Sequence, residues 1–283
     1  MIKLSRILLF VLFLGVIGSI LAVRNANLSG SRHTMIEKKR LKIENEIAQL
    51  KDHPWAWRYD RGSKVFGVSL TLAPENGFAD TCYGTWSQRF QEDNRYGTVD
   101  WNGNIVKLTY AFDLEDSGFD RCASEYKPIR WGERHYLIPS DEIVQFCNAV
   151  NSRDEPRNCV RGHYFLRWGD EKKEAKGKPE LPEKYMPYLL DEPVDATIVS
   201  VKDIRRNGNG QIATIIVNKG KKDGLLPDME LWSIMENEHI LVKVTLTRID
   251  ETQSEGEFDY QGYHFVLVPI EDWQLSTCPR WKR

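Results

Sequence analysis

Two short segments of this sequence place an arginine, a tryptophan and a carboxylate close together. They are Arg130-Trp131-Gly132-Glu133 and Arg167-Trp168-Gly169-Asp170. Tryptophan offers a broad apolar ring, and the arginine guanidinium forms paired hydrogen bonds with carboxylates. One interpretation is a sugar- or peptide-binding surface, and the other is a pair of strand ends with local ion pairs. The binding interpretation predicts six contact residues: Arg130, Trp131, Glu133, Arg134, Arg167 and Trp168.

Glu133 and His135 are the candidate acid–base pair of the sequence. Residues two apart on a strand face the same side, and carboxyl and imidazole groups are common general acids and bases. The pair therefore supports an alternative function, hydrolysis of cell-wall glycan or peptide. The competing interpretation is an ordinary surface pair, because no further partner is identifiable from the sequence.

Other catalytic and ligand-binding signals are missing from the sequence. It contains no nucleophile elbow, zinc-protease, Walker or dinucleotide-binding motif. The acidic residues between Asp113 and Asp120 lack the spacing of a calcium-binding loop. We therefore predict no metal and no cofactor. The net charge of −2 provides no field that would attract nucleic acid.

The five cysteines are scattered, and none forms a CxxC pair, which disfavours a tetrahedral zinc site. In an oxidising compartment such cysteines usually form disulfides. Cys147 and Cys159 would close a short loop after a helix, and Cys82 and Cys122 would join two strands. These pairings are predictions, because sequence alone does not determine connectivity.

Residues 7–23 form an uncharged apolar run that Lys3 and Arg6 precede. The run is longer than the roughly 7–15 residues of a cleaved signal core and slightly shorter than the roughly 20 of a full span. Ala22 suits a cleavage site, but Ile20 does not. We predict an uncleaved signal-anchor, N-terminus inside, with the rest of the chain exported. The alternative is secretion after cleavage.

The rest of the chain is predicted to be mainly β, with a stalk helix, a β-rich domain that contains one helix, and a small SH3- or OB-like β-barrel. The predicted segments are a signal-anchor 1–24, a spacer and membrane-proximal helix 25–54, a β-rich domain 55–169 with a helix over 141–151, a linker 170–193, a barrel 194–270 and a tail 271–283.

Local patterns support these elements. Ile36, Ile43, Ile47 and Leu50 share one helical face within residues 35–50, which Arg40 interrupts. Asn102-Gly103 lies between alternating apolar runs, which predicts a hairpin, and residues 127–138 read as one strand. Residues 170–193 are rich in proline and charge, which predicts a stiff, solvated linker.

The segment Asn218 to Leu231, with Gly220, Gly224 and Met229, resembles a turn of small β-barrels in exported bacterial proteins. The rod-shape-determining periplasmic scaffold family is one holder of that turn. The resemblance implies a barrel over the second domain, with Leu225 and Met229 filling its interior. Asp228 stands where the family pattern usually has glycine.

The first domain resembles uncharacterised exported bacterial proteins that carry a GF…CxG segment and a later RWGERxYLI segment. Here these are Gly77-Phe78, Cys82-Tyr83-Gly84 and Arg130 to Ile138. That resemblance implies an exported bacterial origin and carries no activity. Together the patterns predict a non-catalytic inner-membrane protein that faces the periplasm or cell exterior. It would bind or scaffold envelope proteins or cell-wall polymer; a purely structural spacer is a third possibility.

Overall fold

The computed structural model describes residues 34–62, 66–84, 94–111, 123–153, 164–207, 210–233, 242–260, 269 and 271–278. Compact packing divides the chain into two units, residues 1–125 and 126–283. The fold is mainly β with closed barrels, as the sequence predicts. The domain boundaries predicted from the sequence remain predictions.

The early part of the chain contains one described helix, α1, over residues 34–47, and a run of antiparallel strands. These are β1 (Trp57–Gly62), β2 (Phe66–Ala73), β3 (Gly77–Gly84), β4 (Arg95–Trp101) and β5 (Val106–Tyr110). Ile36 and Ile43 of α1 are fully buried, as their spacing predicts, whereas Ile47 is only half-buried and Leu50 lies beyond the end of the helix. The Glu46 carboxylate holds the helix by accepting hydrogen bonds from the backbone N–H groups of Glu75 and Asn76 at 2.9 and 2.8 Å.

The predicted hairpin at Asn102-Gly103 is confirmed. Strands β4 and β5 pair antiparallel from Gly97 opposite Tyr110 to Trp101 opposite Val106. The Asn102 side-chain oxygen accepts hydrogen bonds from the backbone of the next turn residues, and Gly103 has a φ of +87°. Asparagine and glycine are favoured in such turns because they tolerate this conformation.

Residues from Glu125 form a second group of elements: β6 (Glu125–Trp131), β7 (Arg134–Pro139), α2 (Ile143–Asn151) and β8 (Phe165–Arg167). The sequence-based prediction of one strand over 127–138 is wrong. Two residues, Gly132 and Glu133, form a turn there, and Gly132 has a φ of +58° that favours glycine. Helix α2 buries Ile143, Phe146 and Cys147 in the same core cluster as Tyr136.

The C-terminal barrel contains β9 (Asp195–Asn207), β10 (Gly210–Val217), β11 (Glu230–Ser233), β12 (Lys243–Ile249), β13 (Ser254–Tyr260) and β14 (Gln274–Ser276). Its strand order is β10-β13-β12-β11-β14-β9, whereas β1 to β8 follow sequence order. Leu225 and Met229 are fully buried in its core, as predicted. Asp228, which replaces the usual glycine, has a φ of +66°, so this position requires the left-handed conformation.

Helix α2 is tied to the C-terminal barrel by the Asn148 side chain, which is 5% exposed. Its amide nitrogen donates to the Asp228 carbonyl at 2.9 Å, and its oxygen accepts from the Glu230 N–H at 3.3 Å. Asn151 similarly binds the main chain of Tyr188 and Leu190, next to a 3-10 helix over Glu183–Tyr188. Side-chain hydrogen bonds from α2 therefore join it to the C-terminal barrel and to the segment around Tyr188.

The predicted signal-anchor, residues 1–24, lies outside the described residues. In the part of the chain that is described, no helix has the length and hydrophobicity needed to cross a membrane. The acidic stretch Asp113–Asp120 and the turn residues 208–209 also lie outside the described ranges.

Candidate functional site

The Arg130 to His135 segment forms a hairpin, and residues 170–180 run alongside it; we call these residues the strap. Two main-chain hydrogen bonds attach the strap to the hairpin. The Glu133 N–H donates to the Glu174 carbonyl at 3.1 Å, and the Glu180 N–H donates to the Arg130 carbonyl at 2.7 Å. The first half of the predicted solvated linker is thus packed against the hairpin.

Two side chains of the hairpin also hold the strap. The Trp131 indole N–H donates to the Gly177 carbonyl at 2.7 Å. The Arg134 guanidinium donates to the Lys173 carbonyl, also at 2.7 Å. Both groups therefore stabilise the strap through its main chain, and neither points to a ligand.

Gly132 permits this close approach. A Cβ atom at this position would lie 2.5 Å from the Lys176 nitrogen and 2.7 Å from the Glu174 oxygen. Gly169 occupies the corresponding place in the second arginine–tryptophan–glycine segment, and a Cβ atom there would meet nothing within 4 Å. Both glycines have positive φ angles. Only Gly132 is additionally required for packing against the strap.

Asp170 is the centre of a buried polar cluster at the start of the strap. The residue is 1% exposed, and its Oδ2 atom accepts a hydrogen bond from the His135 N–H at 2.9 Å and lies 2.8 Å from His135 Nδ1. Lys173 Nζ lies 2.7 Å from Oδ1, and Arg167 Nε lies 3.2 Å from Oδ2. A buried carboxylate requires partners of this kind on both oxygens.

The cluster determines the charge states of Asp170 and His135. Burial alone would raise the pKa of Asp170, but hydrogen bonds from Lys173 and His135 hold it below its ordinary value. Burial lowers the pKa of His135, and the nearby Arg167 and Lys173 charges act in the same direction against the attraction of Asp170. At neutral pH the imidazole is therefore uncharged and donates from Nδ1 to an ionised carboxylate.

The remaining predicted site residues do not converge on one point. Trp168 is 56% exposed, and Arg130 is exposed with its Nε donating to the Gly132 carbonyl at 3.0 Å. Glu133 is exposed in the turn. The ring of Trp131 packs near Tyr136 and Phe146, with centroid separations of 6.5 and 6.3 Å.

Glu133 and His135 do not share one strand face, contrary to the sequence-based expectation, because Glu133 belongs to the turn and only His135 belongs to β7. The partner of His135 is Asp170, 35 residues later. In the sequence, Asp170 ends the second arginine–tryptophan–glycine segment, and no local pattern connects it with His135. The repeated arginine–tryptophan–glycine segment is the only sequence signal for this site. It does not show that β7 pairs with β8, which brings Asp170 to His135.

The His135–Asp170 pair has the orientation that suits an imidazole for general-base work. Among the described residues, however, no hydroxyl or thiol is hydrogen-bonded to His135, and no group of three or more His, Cys, Asp or Glu side chains is arranged to hold a metal. The cations Arg167 and Lys173 bind the same carboxylate. The cluster therefore supports a structural role at the start of the strap better than a catalytic one.

The disulfide prediction is corrected within the described residues, where Cys82, Cys147 and Cys278 are all thiols. The expected bridge from Cys147 to Cys159 is not formed, because Cys147 faces the core from α2 as a small apolar residue. Burial raises the pKa of Cys147 to about 12. Cys122 and Cys159 lie outside the described ranges.

Comparison with known proteins adds no family to this description: no family model, curated protein or solved structure matches the chain. The resemblances drawn from the sequence motifs therefore remain predictions.

Proposed function

We propose that this protein is a non-catalytic, membrane-anchored component of the bacterial cell envelope that binds or scaffolds envelope proteins or cell-wall polymer. The uncharged run over residues 7–23, with Lys3 and Arg6 before it, supports an N-terminal transmembrane helix in the inner membrane. The described domains would then face the periplasm or cell exterior. Cleavage after the apolar run, with secretion, is the alternative.

The observation that carries the non-catalytic role is that the polar side chains of the candidate site form hydrogen bonds within the fold itself. Trp131 and Arg134 bind strap carbonyls, and His135 binds Asp170. Glu133, the other member of the candidate acid–base pair, is exposed in a turn. A catalytic pair must converge on one substrate position, and these side chains do not. The arrangement therefore supports a stable binding surface and not a catalytic site.

Trp168 supplies the candidate contact with a ligand. It is 56% exposed, and it directly follows Arg167, which is anchored on Asp170. Large aromatic side chains that remain exposed on a rigid support are typical of binding surfaces. Exposed Arg130 adds a cationic group on another strand of the same unit.

Cross-linking in intact cells tests the proposal. The tagged full-length protein is cross-linked, purified and examined by mass spectrometry, beside Trp168→Ala and a matched control, Met186→Ala. Met186 is also an exposed apolar residue, at 37%. We expect a reproducible set of envelope proteins or wall fragments that Trp168→Ala reduces and Met186→Ala does not. An empty result from protein that is still in the membrane fraction would contradict the scaffold role.

One observation favours a second candidate, a cell-wall hydrolase. His135 Nδ1 lies 2.8 Å from a buried carboxylate, the relation found in imidazole general bases. His135→Gln and Glu133→Gln would then abolish release of soluble fragments from purified cell wall. Equal release by both variants and the unaltered protein, or no release by any of them, would reject this candidate.

A further inference from the structure

His53 lies in the segment that connects α1 with β1, and it closes a bend that we call the 53–56 turn. Its Nδ1 atom accepts a hydrogen bond from the Ala56 N–H at 3.0 Å and a longer one from the Trp55 N–H at 3.5 Å. Ala56 is fully buried and Trp55 is 2% exposed, so water cannot readily replace this acceptor. An imidazole that accepts at Nδ1 is neutral and carries its proton on Nε2. The turn therefore depends on the uncharged form of His53.

The 53–56 turn holds Trp55 in its buried position. The His53 and Trp55 rings meet edge to face at a centroid separation of 4.8 Å, and the Trp55 ring lies 6.0 Å from the Trp101 ring of β4. The Trp55 carbonyl accepts a hydrogen bond from the Tyr59 hydroxyl at 3.1 Å. Loss of the turn would therefore disturb a buried tryptophan as well as the two N–H groups that His53 binds.

The charged group that acts on His53 is the Glu46 carboxylate, which also attaches α1 to the backbone of Glu75 and Asn76. Its attraction favours the charged imidazole, but burial has the larger effect and lowers the pKa of His53. The other charged side chains that the structure describes beside the turn are exposed or paired with one another: Lys51, Asp52, Glu75, Arg58 and Asp60.

We propose that His53 is a pH-sensitive latch: its neutral form closes the 53–56 turn and helps to keep α1 attached to the strands, and protonation of Nδ1 opens the turn. The proton occupies the lone pair that the Ala56 N–H needs and sets one N–H against another. The charged ring also attracts Glu46, whose carboxylate binds the β2–β3 turn. Acidification should therefore expose Trp55 and loosen the end of α1.

The direction of the pH effect follows from the difference in proton binding between the two forms. In the open turn His53 would titrate near its ordinary pKa of about 6.5, and in the closed turn its pKa is lower. The closed form is therefore favoured above the higher value and loses stability as the pH falls towards the lower one. Under the proposed topology α1 joins the anchor to the first strands, so the latch would make this connection depend on pH. The latch itself does not rest on the proposed binding role.

Hydrogen–deuterium exchange of the full-length protein in detergent tests the latch, with each rate divided by that of the unfolded chain at the same pH. Between about pH 7.5 and pH 5, protection of residues 53–59 should fall by about tenfold, whereas the β12–β13 hairpin should keep its protection. His53→Asn places an amide oxygen where Nδ1 lies and does not titrate, so its protection should stay constant. His135→Gln is the matched control and should respond as the unaltered protein does.

A second measurement needs no variant. Exchange of the C2 hydrogen of each histidine ring, followed by mass spectrometry, gives the pKa of His53, which should lie below about 6.5. A higher pKa, unchanged protection of residues 53–59 at pH 5, or an equal loss in His53→Asn would overturn the inference. So would His135→Gln if it abolished the response, because the titrating group would then be His135. Each of these results leaves the cross-linking test of the binding role unaffected.

Discussion

Asp170 organises the polar chemistry of this protein at the scale of single residues. Asp170 is 1% exposed, and its carboxylate forms ion pairs or hydrogen bonds with His135, Arg167 and Lys173, which remain partly accessible to solvent. Such a buried charge is stable only with its partners, so the cluster couples the strap to the β7–β8 strands. The titration of His135 gives this coupling a dependence on pH.

Stability should fall as the pH decreases through the titration range of His135. Its pKa in the folded protein is below the unfolded value of about 6.5. Between the two pKa values the unfolded chain binds more protons, so the free energy of unfolding decreases as the pH falls. His135→Gln should show a flatter decline in urea unfolding between about pH 7 and 5. Parallel curves for both proteins would contradict the assignment.

The contribution of Asp170 to stability changes at a lower pH than that of His135. Its folded pKa is also depressed, so the stability that its ionised form provides is present above the unfolded pKa and is lost as the pH falls through the folded pKa. The His135 comparison is therefore best made above this range. His53 has a lowered pKa as well, but it is unchanged in both proteins and cancels from the difference.

Cys147 should be unreactive in the folded protein. It is fully buried, and its pKa is raised to about 12, so very little thiolate is present at pH 7.5. Iodoacetamide should label half-buried Cys278 in the native state and both cysteines after unfolding. Peptide mapping provides the measurement. Native labelling of Cys147 at the rate of Cys278, or a mapped bridge to Cys159, would contradict the structure.

At the scale of elements, the β6–β7 hairpin and the strap form one unit because five of their hydrogen bonds involve main-chain groups of the strap. Main-chain contacts require close approach, and the Gly132 turn allows it. The two arginine–tryptophan–glycine segments are therefore similar in sequence but different in role: the first packs on the strap, and the second presents Trp168 to solvent.

The matched pair Gly132→Ala and Gly169→Ala separates these roles. Both substitutions place alanine at a positive φ, which costs about 1 kcal/mol. Gly132→Ala also forces a clash with the strap backbone and should lower the free energy of unfolding by about 2 kcal/mol more. Denaturant unfolding measures the difference, and trypsin should cut the strap faster in Gly132→Ala. An equal decrease in the free energy of unfolding for the two variants would show that Gly132 is not required for packing against the strap.

At the scale of the whole molecule, the proposed anchor and the described domains would have separate roles, membrane attachment and partner binding. The run over residues 7–23 would hold the protein at the membrane, and the described domains would present Trp168 to partners. Within the described residues, the only helices are short and belong to the folded domains.

The anchor proposal predicts how the protein fractionates. Full-length protein should remain in the membrane pellet after carbonate extraction at high pH, and deletion of residues 1–24 should move it to the soluble fraction. N-terminal sequencing of the mature protein identifies the alternative, since a chain that begins just after Ala22 has been cleaved and secreted. A full-length, uncleaved protein that carbonate extracts completely would contradict the anchor.

The sequence by itself determined the β class, the Asn102-Gly103 hairpin and the part of the α1 face that holds Ile36 and Ile43. These features follow from local rules, because residue spacing sets which side chains share a face and turn residues set the backbone conformation. They could therefore be predicted without knowing which strands are neighbours.

Only the tertiary structure decided the candidate site. Asp170 meets His135 because β7 pairs with β8 and the strap returns alongside the hairpin. Cys147 is buried in the core around α2, where it packs as a small apolar residue. Contacts between residues far apart in sequence depend on strand order and register, which no local pattern in this chain specifies.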